Sequence, residues 1–183
     1  MDSSEIIYNY SHYLVEHIRR VRRAIEEFLK TEEFGISPYN NPDFIAEMHV
    51  RSDNHDKSKW SIEEFFPYAE HYYGRHSEHL EMEDPAYDKA WEHHVVNNDH
   101  HDGYWRQEGR TPEQAPIESV FEMLCDWTSM SVFSGGYPSE WYNKNKGEVL
   151  EGYPSETLSV IDEYMPVFDR IYEILKDEEE SRK

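Results

Sequence analysis

The chain has 183 residues, 37% of them hydrophobic and 15% aromatic, with a single cysteine and a formal net charge of −21. That length suits one domain with a real core, the aromatic side chains supplying buried area that the low mean hydropathy would otherwise leave short. The charge repels nucleic-acid backbones and anionic membranes, so neither is an expected partner. Lone Cys125 excludes an internal disulfide and a thiolate metal cage. There is no basic-then-apolar leader, and no apolar run approaches the roughly 20 residues of a membrane span, so a cytoplasmic protein is expected, in a host's cytoplasm if the source is viral.

The pattern along the chain is helical. From about Glu5 to Lys30, Tyr10, Leu14, His17, Val21, Ala24, Ile25 and Phe28 recur at three- and four-residue spacing, the stripe of an amphipathic helix. Residues 35–42 (GISPYNNP) break it, and a second helix runs from Asp43 to about Asp56, with Phe44, Ile45, Met48, Ser52 and His55 facing inward. Ser61-Ile62-Glu63-Glu64 has the form of a capping box opening a third helix toward Tyr73, followed by a polar loop over 74–83. Asp84-Pro85 starts a fourth helix with Tyr87, Trp91 and His94 on one face, extended to Asn98 and His101 if the helix persists to Asp102-Gly103. Ile117 to Val132 is apolar nearly all round, as a central helix would be. Residues 135–154 are expected as a long loop, Ser155 to Leu175 as an amphipathic helix kinked at Pro166, and 177–183 as a disordered tail. With no strand signal, repeat or linker, the expected architecture is all-α, a single domain over residues 1–176.

Eleven histidines are far more than an ordinary share, and most fall into one ordered series: His17, His55-Asp56, His93-His94, His100-His101, and then Asp126. His17 lies on a buried stripe, His55 and Asp56 end an amphipathic helix, and Asp126 sits inside the apolar run MLCDW. Unpaired buried charge costs several kcal/mol, so these groups need partners. Singly, each has an ordinary explanation: His17 as a hydrogen-bonded core histidine, Asp126 as the partner of an arginine on the first helix. Jointly, on separate helices, they form the imidazole and carboxylate set that binds zinc, manganese, iron, cobalt or nickel. His93 and His100 are seven apart, as are His94 and His101; Tyr87 and Trp91 make the His94 face the inner one. His12, His71, His76 and His79 read as surface residues, and His49 stays unassigned.

The order His17, His55-Asp56, Asp126 resembles the HD superfamily of metal-dependent phosphohydrolases, all-α proteins with a metal site between helices. The run HDKSK resembles that superfamily's HD-x-[GS]-K variant, which implies that Lys59 contacts a substrate phosphate. The blocks HDKSKWSIEEFFPY, AWEHHVVNNDHH-x-x-YW and EMLCDW together resemble, over about residues 10–145, a family of small bacterial and phage proteins with a domain of unknown function. The superfamily resemblance implies that His17, His55, Asp56 and Asp126 hold a first metal. It also implies that His94 and one of His100 or His101, with His93 as a lesser substitute, belong to a second. A one-metal site with His94 or His101 as acid or base stays open.

The expected activity is hydrolysis of a nucleotide-type phosphoester, using one or two divalent transition-metal ions to polarise phosphate and to generate hydroxide. Asp56 or a neighbouring histidine would orient or deprotonate the water, and Lys59 would neutralise phosphate charge. Arg20 or Arg23 would face the pocket mouth unless paired with surface carboxylates. Trp141, Tyr142, Lys144 and Lys146 would form a lid that stacks a base and binds phosphate, so the expected substrate contacts are Lys59, Arg20 and Lys144. Two other classes fit the same ligands: a di-iron oxygenase on the HD fold, and a non-catalytic, metal-stabilised interaction protein. The partner expected is a small phosphorylated molecule, and a homo-oligomer is compatible with the sequence.

Overall fold

The computed structural model describes residues 2–74, 77, 80 and 82–182, and among them every regular element is helical. The order is α1 (Ser3–Phe28), α2 (Glu32–Gly35), α3 (Pro42–Asn54), α4 (Phe65–Tyr73), α5 (Pro85–Asn97), α6 (Ile117–Ser134), α7 (Pro138–Val149) and α8 (Ser155–Glu180), with short 3₁₀ turns at Lys57–Trp60, Asp102–Arg106 and Pro112–Gln114. None of the described helices is long and apolar enough to cross a membrane. The all-α expectation holds.

Asp2 caps α1 by accepting from the amides of Ser4 and Glu5, and Asn41 caps α3 by accepting from the Phe44 amide, each satisfying first-turn donors left without helical partners. α1 packs on α3, α4, α6 and α8, and α6 packs on α1, α3, α7 and α8, so these two helices form the centre of the bundle. The stripe of α1 divides along its length. Ile6, Tyr10 and Leu14 join Tyr68, Ala69 and Ala90 in a small apolar cluster, while Val21, Ala24, Ile25 and Phe28 enter the main core. Phe121 sits in that core with Phe28 stacked at 4.5 Å and Tyr164 edge-on at 5.1 Å. His17 occupies the turn of α1 between the two clusters, and the polar site is built there as a layer between apolar ones.

Several expected boundaries differ. α3 stops at Asn54, and Asp56 takes a left-handed conformation (φ 55°, ψ 21°), which aspartate tolerates at a cost of about 1 kcal/mol. The expected capping box does not form: α4 begins at Phe65, and Glu64 turns its side chain inward instead of capping. α5 ends at Asn97, where Asn98 turns extended, so His100 and His101 follow a break rather than continuing a helical face. The segment 135–154, expected as loop, contains α7, held to α8 by the Tyr142 hydroxyl donating to Asp162 at 2.6 Å and by the Ser139 amide donating to Asp169 at 3.0 Å. α8 continues through Pro166 to Glu180 instead of fraying after Leu175. Its last turns are tied down because Arg23 reaches Glu178 at 2.9 Å and Arg19 pairs with Glu179. His71, expected at the surface, is buried, with its ring 3.8 Å from Tyr87 and its Nδ1 3.1 Å from Asp84. His12 and His49 are exposed, whereas His76 and His79 lie outside the described residues.

Candidate metal centre

Four elements deliver the cluster. α1 supplies His17, the end of α3 and the turn after it supply His55 and Asp56, α5 and the break beyond it supply His94, His100 and His101, and α6 supplies Asp126. Asp56 is the hinge of the arrangement. Its Oδ2 lies 3.1 Å from His17 Nε2 and 3.6 Å from His55 Nε2, while its Oδ1 lies 3.4 Å from His94 Nε2 and 3.6 Å from His100 Nε2. The left-handed backbone at Asp56 reverses the chain after α3 and carries the carboxylate inward, so the strain is located at the residue shared by both groups.

On the Oδ2 side, His17 Nε2 and His55 Nε2 are 3.3 Å apart, and Asp126 Oδ1 is 3.3 Å from the first and 3.8 Å from the second. On the Oδ1 side, His94 Nε2 faces His101 Nε2 at 2.8 Å. Donors around one ion at about 2.1 Å stand roughly 3.0–3.4 Å from one another in octahedral or tetrahedral geometry, close to most of these separations. Two imidazole nitrogens that face each other need either a proton or a cation between them. Asp56 Oδ1 and His100 Nε2 are moreover buried with no hydrogen-bond partner. The residues therefore fit a divalent metal ion.

The outward nitrogens of these rings are anchored. Glu122 Oε1 accepts from His55 Nδ1 at 2.8 Å and lies 3.3 Å from His100 Nδ1, Glu64 Oε2 accepts from His94 Nδ1 at 2.9 Å, and Ser129 Oγ lies 3.1 Å from His17 Nδ1. Carboxylate on Nδ1–H fixes the tautomer that presents the Nε2 lone pair inward, the usual outer support of a histidine ligand. His55, His100 and Glu122 also lie close enough to hold an ion themselves. Glu122 is already engaged by both Nδ1 atoms and by Arg51 Nη1 at 2.8 Å, so its role is to orient the rings.

The electrostatics agree with this division. Burial pulls His17, His94 and His101 below the ordinary imidazole range, which keeps them neutral and ready to ligate. Burial also opposes charge on His55, but the carboxylates of Asp56, Glu122 and Asp126 outweigh it and raise its pKa to about 9. Burial likewise disfavours charge on Asp56 and Lys59. The two lie 2.7 Å apart, and together with the neighbouring histidines this pairing holds Asp56 well below the carboxylate range and Lys59 protonated. Without a metal, the proton on His55 and the ammonium of Lys59 offset part of the carboxylate charge of the site.

Of the residues expected from sequence, His17, His55, Asp56, His94, His101 and Asp126 are brought together with Lys59 beside them, and both His100 and His101 face in rather than one of the two. His93 turns away to Glu64 Oε1 at 2.7 Å. Arg20 does not reach a pocket mouth. It is buried behind His17, with its Nε donating to Ser129 Oγ at 3.3 Å and its Nη1 3.8 Å from Glu179. Lys144 is exposed on α7 away from the cluster, because α7 buries Tyr142 in the core and leaves only Trp141 of the expected lid facing the cavity. Arg23 pairs with Glu178, and Lys146 lies 3.9 Å from Asp162.

Sequence reasoning missed Glu64 and Glu122, and it took only one of His100 and His101. Glu122 had a signal, since it lies one turn before Asp126 on the same face of a nearly apolar helix, with Ser129 one turn after. Glu64 had none, because the capping-box pattern assigned it elsewhere.

A cavity of about 490 Å³ opens beside the cluster, with Lys59, His101 and Asp126 on its wall. Nine tyrosine and tryptophan side chains also line it, among them Tyr10 and Tyr68, whose buried hydroxyls have no hydrogen-bond partner. Clustered histidine and carboxylate side chains between helices, next to an open cavity, can coordinate a divalent ion and are consistent with a metal-dependent enzyme.

No curated protein and no solved structure matches the chain. Residues 6–165, which include every member of the cluster, match the family of unknown function DUF5662, and the chain belongs to that family.

Proposed function

We propose that the chain is a metal-dependent phosphohydrolase acting on a nucleotide-type phosphoester, with one or two divalent transition-metal ions held around Asp56. The observation that carries this reading is the shared buried carboxylate of Asp56, between two sets of inward-facing Nε2 atoms and paired with Lys59 on the wall of a cavity. His17, His55, Asp56 and Asp126 would hold one ion, and Asp56, His94, His100 and His101 the other. Bound metal supplies Lewis acidity toward a phosphoryl oxygen and a water acidic enough to ionise near neutral pH. With one ion held on the Oδ2 side, the Oδ1 atom of Asp56 and His101 would orient that water, and Lys59 would neutralise charge developing on the phosphate. Glu64 and Glu122 hold the rings in register. The resemblance of HDKSK to the HD-x-[GS]-K pattern supports the phosphate role of Lys59.

Elemental analysis of the purified protein, followed by a phosphoester screen with manganese, cobalt and magnesium, tests this reading. Metal in stoichiometric amount and metal-stimulated release of phosphate are expected. A protein that neither contains nor responds to metal would sink it. A second reading, a di-iron oxygenase on the same ligands, draws on the cavity wall, where Lys59 is the one cation among the described, largely aromatic side chains. Iron loading with measurement of oxygen consumption separates the two.

A further inference from the structure

We infer that the cavity selects a planar-ring molecule carrying a single phosphate monoester and discriminates against polyphosphates. The inference rests on the phosphohydrolase reading for the identity of the anion. The wall of the cavity itself argues for the ring and for the charge limit.

Among the described residues of the lining Lys59 is the one cation, and it is already paired with Asp56 at 2.7 Å. The other described residues of the lining add no second cation, but they do add the carboxylates Asp102, which Arg106 approaches to 3.4 Å, and Glu140, which is exposed. One phosphate can therefore find compensation at the Lys59 end. A chain of phosphates running outward from it would meet carboxylates in a partly dehydrated space, where like charges repel strongly. At the same end the buried, unpartnered hydroxyls of Tyr10 and Tyr68 flank Lys59, whose Nζ sits 5.7 Å from the Tyr68 ring centroid. Burial keeps both phenols protonated, so they stand as hydrogen-bond donors without an acceptor from the protein.

Much of the wall is aromatic. Trp127 and Trp141 pack with centroids 4.7 Å apart, Trp91 lies 5.3 Å from His101, and Trp91 and Trp141 remain 43% and 41% exposed. Partly exposed indole faces on the wall of a concave site suit stacking of a ring, and the volume of about 490 Å³ suits a compact ligand.

Calorimetric titration of the manganese-loaded protein with non-hydrolysable phosphonate analogues of adenosine monophosphate, adenosine triphosphate and ribose 5-phosphate tests the inference. The monophosphate analogue should bind at least tenfold tighter than either of the others. Trp141→Ala should weaken it about tenfold while leaving the ring-free analogue within twofold, the loss expected for one stacked base. Glu140→Lys, at an exposed position, should raise affinity for the triphosphate analogue several-fold. Equal or tighter binding of the triphosphate analogue, or equal binding of the ring-free one, overturns the inference. Hydrolysis of phosphoesters with no preference for ring or phosphate number would overturn it and leave the phosphohydrolase reading standing. The binding preference without hydrolysis of any phosphoester would support the inference and remove that reading.

Discussion

Replacing Glu122 with glutamine separates the support of the metal centre from its ligands. In the native protein one carboxylate oxygen engages the Nδ1 atoms of His55 (2.8 Å) and His100 (3.3 Å), and the other accepts from Arg51 at 2.8 Å. Burial opposes ionisation of Glu122, yet the two histidines hold its carboxyl well below the usual range, so it is a carboxylate at neutral pH. Glutamine keeps the shape and an acceptor for the rings but removes the charge, and its amide turns a donor toward Arg51. Arg51 is not orphaned, since Asp99 grips it through two bonds of 2.7 and 2.9 Å and Glu47 through a third contact of 3.1 Å. The metal-free variant should therefore lose only about 1–2 kcal/mol, not the roughly 3–5 kcal/mol of a broken buried pair. Metal affinity should fall about 10- to 100-fold, the usual loss when an outer carboxylate is removed, or about 1.4–2.8 kcal/mol. Competition against a chromophoric chelator gives the affinity, and thermal melts in a chelating buffer give the stability. An affinity within twofold of the parent would refute the assignment of Glu122 as support for the metal centre.

The raised pKa of His55, about 9 against an ordinary 6.5, gives the metal-free protein stability that is full below about pH 6.5 and lost as pH rises through about 9; metal must displace that proton. Metal affinity should thus climb between pH 7 and 9 by up to about tenfold per unit, and a flat profile in chelator competition counts against a protonated His55. Arg20→Ala should cost about 1–3 kcal/mol in chemical denaturation by removing a buried donor to Ser129, with no selective rise in KM; such a rise would return Arg20 to the pocket. Deleting residues 176–183 should lower stability by about 1 kcal/mol in low salt and less in high salt, because Glu178 and Glu179 pair with Arg23 and Arg19 in partly exposed surroundings. Phe121→Ala should cost about 3–5 kcal/mol in the same denaturation assay, and a loss under 2 kcal/mol would contradict its place at the centre of the main core.

Local periodicity made the helical architecture legible, and together with the HD resemblance it pointed to His17, His55, Asp56, His94, His101 and Asp126 as one group. His17 falls on the stripe of α1 between Leu14 and Val21, and Asp126 sits on the inward face of α6; each position follows from 3.6-residue spacing and the cost of burying charge alone. What spacing cannot express is which polar groups on different elements face each other. Heptad spacing selected one residue of the His100-His101 pair, but the chain breaks at Asn98 and turns both inward. The partnering of Glu122 with His55 and His100, of Glu64 with His94, and of Arg20 with Ser129 depends on where α1, α3, α5 and α6 pack. The helix at 138–149 has a weak stripe of its own and is ordered through Tyr142 and Ser139 against α8. The ends of α8 and α3 were settled in the same way, by Arg23 on one and by the left-handed turn at Asp56 on the other. Local patterns decide which face of a helix is buried. Distances across the bundle decide what that face touches.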